Sequence, residues 1–97
     1  MDLSYILNEL GEDREEYFNA ISPPIVQTSN FAFKTVNALR NALHNEFEAD
    51  LYSRGNNPTI NILRKKLAAL DGAEDALVFG SGIAAIAVPI LALPREE

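Results

Sequence analysis

Two short stretches carry most of the information in this chain: LYSRGNNPT at residues 51–59 and FGSGIAAI at residues 79–86. In the first, Tyr52 and Arg54 alternate along a loop, so both side chains can point to one side. A guanidinium beside a phenol suits a phosphate dianion, because it offers a bidentate charged donor and a neutral one. Considered alone, however, the pair is explained more simply by a surface arginine that pairs with an acidic residue, next to a packed tyrosine.

The second stretch predicts a short buried strand, a glycine-rich turn and a helix. Residues 76–79 (ALVF) have the composition of a strand, and the helix is expected from Ile83. The unpaired N–H groups and the dipole of a helix N-terminus form a general anion site. Gly80 and Gly82 would let the backbone approach a phosphate, and Ser81 could donate its hydroxyl. Considered alone, a tight strand-to-helix turn without a ligand is the commoner explanation.

Three further helices are predicted from apolar periodicity. The first covers residues 3–10 and stops at Gly11. The second begins after Thr35, and the third begins after Thr59 and stops at Gly72. The apolar stripes of the second and third helices are Val36, Leu39, Leu43 and Phe47, and Ile60, Leu63, Leu67 and Leu70. The prolines at 23–24 predict an extended arm, and Pro89 predicts a kink in the last helix, which is apolar on every side.

Composition excludes several classes of function. Eight Lys and Arg against 14 Asp and Glu give a formal net charge of −6, which disfavours binding to nucleic acid or to an anionic membrane. The longest apolar run, residues 83–93, is well short of the ~20 residues that span a bilayer. No cysteine is present, and the N-terminus has no basic region or long apolar core of a secretory signal. The chain is therefore expected to be cytoplasmic.

No metal site is expected. His44 is the only histidine, and no cysteine can join it as a ligand. The acidic residues near the N-terminus lack the spacing of a calcium loop and are interpreted as solvated: Glu12, Asp13, Glu15 and Glu16.

Four segments resemble one enzyme family in their order and spacing. They are residues 23–29 (PPIVQTS), 51–59, 67–77 (LAALDGAEDAL) and 81–86 (SGIAAI). Together they resemble the N-terminal region of the Cys/Met metabolism (trans-sulfuration) enzymes, which include cystathionine γ-synthases, cystathionine lyases and methionine γ-lyases and depend on pyridoxal 5′-phosphate. The resemblance covers residues 22–92. Asn56 stands where the family usually has Gly, which a left-handed backbone would tolerate, and Ile83 replaces the common Met.

The resemblance implies an α/β fold: an N-terminal arm and the first helix-strand-helix elements of an incomplete fold-type-I (aspartate-aminotransferase-like) large domain. Residues 1–58 would contact a partner subunit, and residues 59–97 would begin the domain that binds pyridoxal phosphate. Tyr52 and Arg54 would bind the cofactor phosphate of the neighbouring subunit. Ser81, Gly82 and Ile83 would bind it within their own subunit. The assembly implied is a dimer of dimers that acts on a small sulfur-containing amino acid.

The resemblance also implies that no catalytic residue lies in this chain. The family's Schiff-base lysine and the carboxylate that faces the pyridine nitrogen would lie beyond Glu97, and residues 93–97 (LPREE) leave the family pattern, which indicates a truncation, a frame change or an artificial boundary. The three lysines, Lys34, Lys65 and Lys66, are interpreted as solvated. The chain is therefore expected to be inactive alone.

Two alternatives remain beside this hypothesis. One is a non-catalytic remnant or interaction fragment that pairs with a full-length homologue. The other, which the order of the motifs disfavours, is a small acidic helical domain with an accidental glycine turn. The choice between β- or γ-elimination and γ-replacement, and the substrate, depend on residues outside the chain.

Overall fold

A computed structural model describes residues 1–93, with residues 94–97 outside the described part. Four α-helices follow one another along these residues, with a short 3-10 helix at Arg14–Tyr17. The α-helices are α1 (Leu3–Asn8), α2 (Val36–His44), α3 (Pro58–Asp71) and α4 (Gly82–Ala92). Pairing of extended backbone within residues 1–93 is limited to an isolated antiparallel bridge between Asn30 and Tyr52.

The predicted strand at residues 76–79 is not formed within the described residues, so the helix-strand-helix part of the α/β prediction is not seen here. A strand needs a neighbour to satisfy its N–H and C=O groups, and residues 1–93 contain no second strand beside it. Arg64 instead holds this segment against α3. Its Nε donates to the carbonyl oxygen of Ala76 at 2.7 Å, and its Nη2 lies 2.7 Å from Oδ2 of Asp75.

Of the helix ends predicted from local signals at Thr35, Gly72 and Thr59, two are confirmed and one is wrong. Thr35 caps α2 as expected, because its Oγ1 accepts the N–H of Ala38 at 3.0 Å. Gly72 ends α3 as expected, in the left-handed conformation with φ of 68°. The predicted start of α3 was wrong: Asn57, not Thr59, is the N-cap. Pro58 then occupies the first helical position, where its missing N–H costs no hydrogen bond.

The packing of α3 also differs from the prediction. Among the helices of residues 1–93, only α1 and α3 pack against each other. Ile6 of α1 and Ala68 of α3 are buried. The predicted apolar stripe of α3 is exposed: Ile60, Leu63, Leu67 and Leu70. The short α1 covers only one side of α3, which leaves this stripe open.

A charged contact joins the N-terminal segment to α3. Glu12 is only 5% exposed, and it contacts the Nζ of Lys66 and lies 3.2 Å from Nη2 of Arg14. The same Nζ donates to the carbonyl oxygen of Leu7 at 2.9 Å. The prediction that Glu12 and Lys66 are solvated was therefore wrong, because a buried carboxylate requires a charged partner.

The helix α4 packs against no other helix of the described residues. It continues through Pro89 to Ala92, and its first apolar side chain, Ile83, is 78% exposed. Across residues 1–93, every helix is too short or too polar to cross a membrane. An apolar helix that is this exposed needs a covering surface that residues 1–93 do not supply.

Acidification should weaken the contact between α1 and α3. The hydrogen bond from Lys66, opposed by burial, lowers the pKa of Glu12 from its ordinary value of 4.5. The contribution of Glu12 to stability is therefore fully present above that value and is lost as pH falls through the lowered pKa. Urea unfolding, followed by circular dichroism from about pH 7 to about pH 3, should show Glu12→Gln with a weaker acid dependence than wild type.

Glu15→Gln is the matched control for this experiment, because it removes one negative charge from an exposed residue of the same segment. It should keep the acid dependence of wild type. Equal acid dependence in wild type and Glu12→Gln would contradict the assignment.

Replacing Arg64 should release the segment that follows α3. Arg64→Met keeps the aliphatic stem but loses the bonds to Asp75 and Ala76, so amide hydrogen exchange at residues 75–80 should become faster while exchange within α3 changes little. Lys65→Met, on the neighbouring exposed position, should leave exchange in this segment unchanged. Equal exchange in the two variants would show that Arg64 does not hold the segment.

Candidate functional site

The loop that carries Tyr52 and Arg54 is fixed by the N-terminal arm. The N–H of Phe31 donates to the carbonyl oxygen of Leu51 at 3.3 Å, and the N–H of Ser53 donates to the carbonyl oxygen of Ser29 at 2.8 Å. These two bonds flank Tyr52 and form the isolated bridge. The backbone on both sides of Tyr52 is therefore held against the arm.

The same loop turns back on itself before α3. The carbonyl oxygen of Tyr52 accepts the N–H groups of Gly55 and Asn56, at 3.0 and 3.1 Å. Asn56 is buried, donates to Oδ1 of Asp50 at 3.2 Å and accepts from Asn61 at 2.7 Å. Burial raises the pKa of the Asp50 carboxyl. The left-handed backbone considered for Asn56 is not present, because the residues other than Gly with positive φ in the described part are Asp13, Phe18 and Asn19.

Tyr52 and Arg54 lie together as predicted. The Cζ of Arg54 is 5.1 Å from the centroid of the Tyr52 ring, within the range of a cation–π interaction. Both residues are exposed, and Arg54 forms no ion pair with any residue in the part of the chain that the structure describes. The surface ion pair that would explain Arg54 more simply is therefore not seen in this part of the chain. A cation that is oriented but unneutralised can bind an anion from outside.

The cleft beside the Tyr52–Arg54 pair has a volume of about 230 Å³. It is smaller than the cleft of about 390 Å³ that lies near Tyr5 and Arg14. Its lining residues are Glu46, Phe47, Leu51, Tyr52, Arg54 and Gly55. Glu46 brings one negative charge to the rim. The two donors of the Tyr52–Arg54 pair thus face a small, open space of mixed polarity.

The turn before α4 forms the second candidate element. Ser81 is the N-cap of α4, and its Oγ accepts the N–H of Ala84 at 3.2 Å. Gly82 and Ile83 are the first two residues of the helix, and their N–H groups have no carbonyl partner inside it. Apart from the adjacent residues and the backbone of α4 itself, a Cβ built at Gly80 or Gly82 would meet no atom within 4 Å. The helix therefore offers two backbone donors to open space, and the Ser81 hydroxyl keeps its hydrogen to donate.

The donors of the two elements are of the kind that bind a phosphate group. Their donor set comprises a guanidinium, a phenol, two backbone amides and a hydroxyl, which is appropriate for a dianion. The cleft beside Tyr52 and Arg54 is lined by no residue of the α4 turn, and α4 packs against no other helix of residues 1–93. Each element therefore presents hydrogen-bond donors of a kind that bind phosphate.

The structure also shows the surroundings of the histidine and the lysines. His44 is exposed, and residues 1–93 contain no group of three or more metal-ligating side chains. Lys34 and Lys65 are exposed, whereas Lys66 is engaged by Glu12.

Sequence reasoning missed the residues that fix the loop. Asn57 and Ser53 carry most of its hydrogen bonds to the arm. The dipeptide Asn57-Pro58 contained a usable signal, because Asn is a favoured N-cap and Pro is favoured directly after it. The partners in the arm carried no such signal, since they lie more than twenty residues away.

Comparisons with known proteins agree with the motifs. The profile of the Cys/Met metabolism PLP-dependent enzyme family matches residues 6–96. L-methionine gamma-lyase of Pseudomonas putida is 36% identical over 85 residues, which are 88% of this chain and 21% of that protein. Human cystathionine gamma-lyase is 42% identical over 77 residues, which are 78% of this chain and 17% of that protein.

Cystathionine gamma-synthase 1 (chloroplastic) of Arabidopsis thaliana is 40% identical over 75 residues, which are 77% of this chain and 13% of that protein. The chain thus spans about a fifth or less of the length of these three relatives. Because the family profile covers nearly all of its residues, the chain belongs to the Cys/Met metabolism family of pyridoxal-phosphate-dependent enzymes.

Proposed function

We propose that this chain is the N-terminal, phosphate-binding part of a pyridoxal-phosphate enzyme of sulfur amino-acid metabolism. Such an enzyme would cleave a carbon–sulfur bond or replace a substituent of a cystathionine-, methionine- or homoserine-ester-type substrate. Membership of the family and relatives named methionine gamma-lyase and cystathionine gamma-synthase support this proposal. In the bound state the cofactor supplies the electron sink for chemistry at the amino-acid carbons.

The observation that carries the proposal is the separation of two complementary half-sites. The Tyr52–Arg54 pair and the turn at Ser81–Ile83 each present donors for one side of a phosphate, and the described residues do not join them. Two copies of the chain can join them if the pair of one copy meets the turn of the other. Residues 1–58 would then contact the partner, and residues 59–97 would begin the α/β cofactor-binding domain. The complete assembly would be a dimer of dimers.

Each residue has a distinct task in this arrangement. Arg54 would bind two phosphate oxygens through its fork of N–H donors, and Tyr52 would orient the guanidinium and donate its hydroxyl. Gly82 and Ile83 would donate their N–H groups at the positive end of the α4 dipole. These contacts bind and orient the cofactor but move no proton of the substrate.

Mixing two defective variants tests whether the site is shared between subunits. Arg54→Gln and Gly82→Ala should each weaken binding of pyridoxal phosphate about tenfold or more, since each removes or blocks a charge-assisted contact. Because the added methyl group would meet no atom of another segment within 4 Å, Gly82→Ala should leave the fold intact. In the mixture, a dimer of one variant with the other contains one intact site, so calorimetric titration should recover up to half of the wild-type sites.

Arg40→Gln is the matched control. Arg40 is exposed on α2, so its replacement should leave binding of pyridoxal phosphate unchanged. Pyridoxal, which lacks the phosphate, should bind much more weakly than pyridoxal phosphate. Equal binding of these two compounds, or wild-type affinity in Arg54→Gln, would overturn the proposed function. Reduced affinity in each variant without recovery in the mixture would place both half-sites in the same subunit.

We also propose that the chain does not catalyse the reaction by itself. Lys66 is held by Glu12 and by the carbonyl oxygen of Leu7, and Lys34 and Lys65 are exposed residues with no part in either half-site. A lysine that binds the cofactor covalently would therefore be absent from this chain. After incubation with pyridoxal phosphate and reduction with borohydride, intact mass spectrometry should show no stoichiometric addition at a single lysine. Stoichiometric addition at one lysine would contradict this proposal.

A second candidate function is that of an interaction fragment that pairs with a full-length homologue. The exposed apolar surfaces of α3 and α4 favour it, because both need a covering partner. Under this alternative, a longer family member would form a stable mixed oligomer with the chain, and loss of Arg54 would not affect that association.

A further inference from the structure

Asn57 is buried where the arm, the loop and α3 meet. Its side chain is 7% exposed, and all of its hydrogen-bonding groups are used. The Oδ1 atom accepts the N–H of Thr59 at 2.9 Å, while Nδ2 donates to the carbonyl oxygen of Val26 at 3.1 Å and to the Oγ of Ser53 at 2.9 Å. One side chain therefore connects the distant arm, 31 residues away along the sequence, to the adjacent loop and the start of α3.

Ser53 links this junction to the Tyr52–Arg54 pair, because it is the residue between them. Its hydroxyl accepts from Asn57 and donates to the carbonyl oxygen of Thr28, and its N–H donates to the carbonyl oxygen of Ser29. The backbone of Ser53 is thus fixed on the side of the arm and on the side of α3. Both neighbouring side chains start from this fixed backbone.

The arm is held at the same junction by a second pair of bonds. The N–H of Val26 donates to Oγ1 of Thr59 at 2.9 Å, and its carbonyl oxygen accepts from Asn57. The N–H and the carbonyl group of Val26 are therefore both bonded to side chains at the start of α3, those of Thr59 and Asn57. The arm therefore cannot move away from the start of α3 unless these bonds break.

We propose that Asn57 is a positioning residue that fixes the direction of Tyr52 and Arg54 through Ser53. The inference rests on the proposed function, because it concerns the same phosphate. A long arginine side chain loses rotamer freedom when it binds an anion, and a fixed backbone limits the further entropy lost on binding. Asn57 contributes this order without contacting the phosphate.

The variant Asn57→Asp separates this task from the capping of α3. An aspartate can accept the N–H of Thr59 and is as good an N-cap as asparagine. It has no N–H to donate, so the bond to Val26 is lost, and the Ser53 hydroxyl can donate to the carboxylate only by releasing the carbonyl oxygen of Thr28. Helix α3 should therefore remain formed while the Ser53 part of the loop loses the side-chain bond that Asn57 donates, and Asn56 keeps its bond to Asn61 of α3.

The experiment uses the full chain with pyridoxal phosphate and inorganic phosphate as probes. Asn57→Asp and Ser53→Ala should each weaken binding of both probes about tenfold. The double variant should bind as well as the poorer binder of the two single variants, because both substitutions disrupt the same connection between Asn57 and Ser53. Far-ultraviolet circular dichroism should show unchanged helix content. Asn37→Asp, at an exposed position of α2, should bind as wild type.

A spectroscopic signal reports the positioning directly. The ring of Tyr52, 5.1 Å from Cζ of Arg54, should displace the Arg54 side-chain proton resonances in wild type, and Asn57→Asp should return them toward their values in an unstructured chain. Wild-type affinity in Asn57→Asp together with weak binding in Arg54→Gln would overturn this inference and leave the proposed function standing. Wild-type affinity in Arg54→Gln would overturn both. If Asn57→Asp lowers the helix content as well as the affinity, Asn57 acts only at the start of the helix, which also overturns the inference.

Discussion

The hydrogen bonds of Asn57 are the constraint on which the placement of the arm against the loop and α3 depends. Only three apolar residues of the described part are buried, and together they bury little apolar surface: Ile6, Ala42 and Ala68. Burial of apolar area therefore cannot hold the arm and the loop in place. Buried polar groups hold them instead, since leaving such groups unbonded costs about 1–3 kcal/mol each. The junction of arm, loop and α3 is thus specified by polar complementarity.

The exposed apolar faces follow from the same shortage of core. The stripe of α3 and nearly all of α4 face outward within residues 1–93, although their sequences are those of buried helices. In an α/β architecture, helices of this kind cover a sheet. Because the chain spans about a fifth of the length of methionine gamma-lyase, the proposed enzyme would supply that sheet from residues that this chain does not contain.

The division of the candidate phosphate site has a physical logic. A loop held by hydrogen bonds to an extended arm can present a cation outward, and a helix N-terminus can present backbone donors. Neither element alone neutralises a dianion. If two copies of the chain each contribute one element, binding of the cofactor and association of subunits stabilise each other, because the ligand binds fully only to the assembled form.

The sequence by itself determined the family, through the order and spacing of its motifs. It also determined the existence of the four helices and the proximity of Tyr52 to Arg54, because these depend on residues close to one another along the chain. Thr35, Gly72 and the turn at Ser81 are local signals of the same kind. Only the tertiary structure decided the burial of Glu12 with Lys66, the open stripe of α3 and the hydrogen bonds of Asn57 to the arm. Those features depend on partners between 31 and 54 residues apart, and no local pattern of propensity or periodicity records which distant groups will meet.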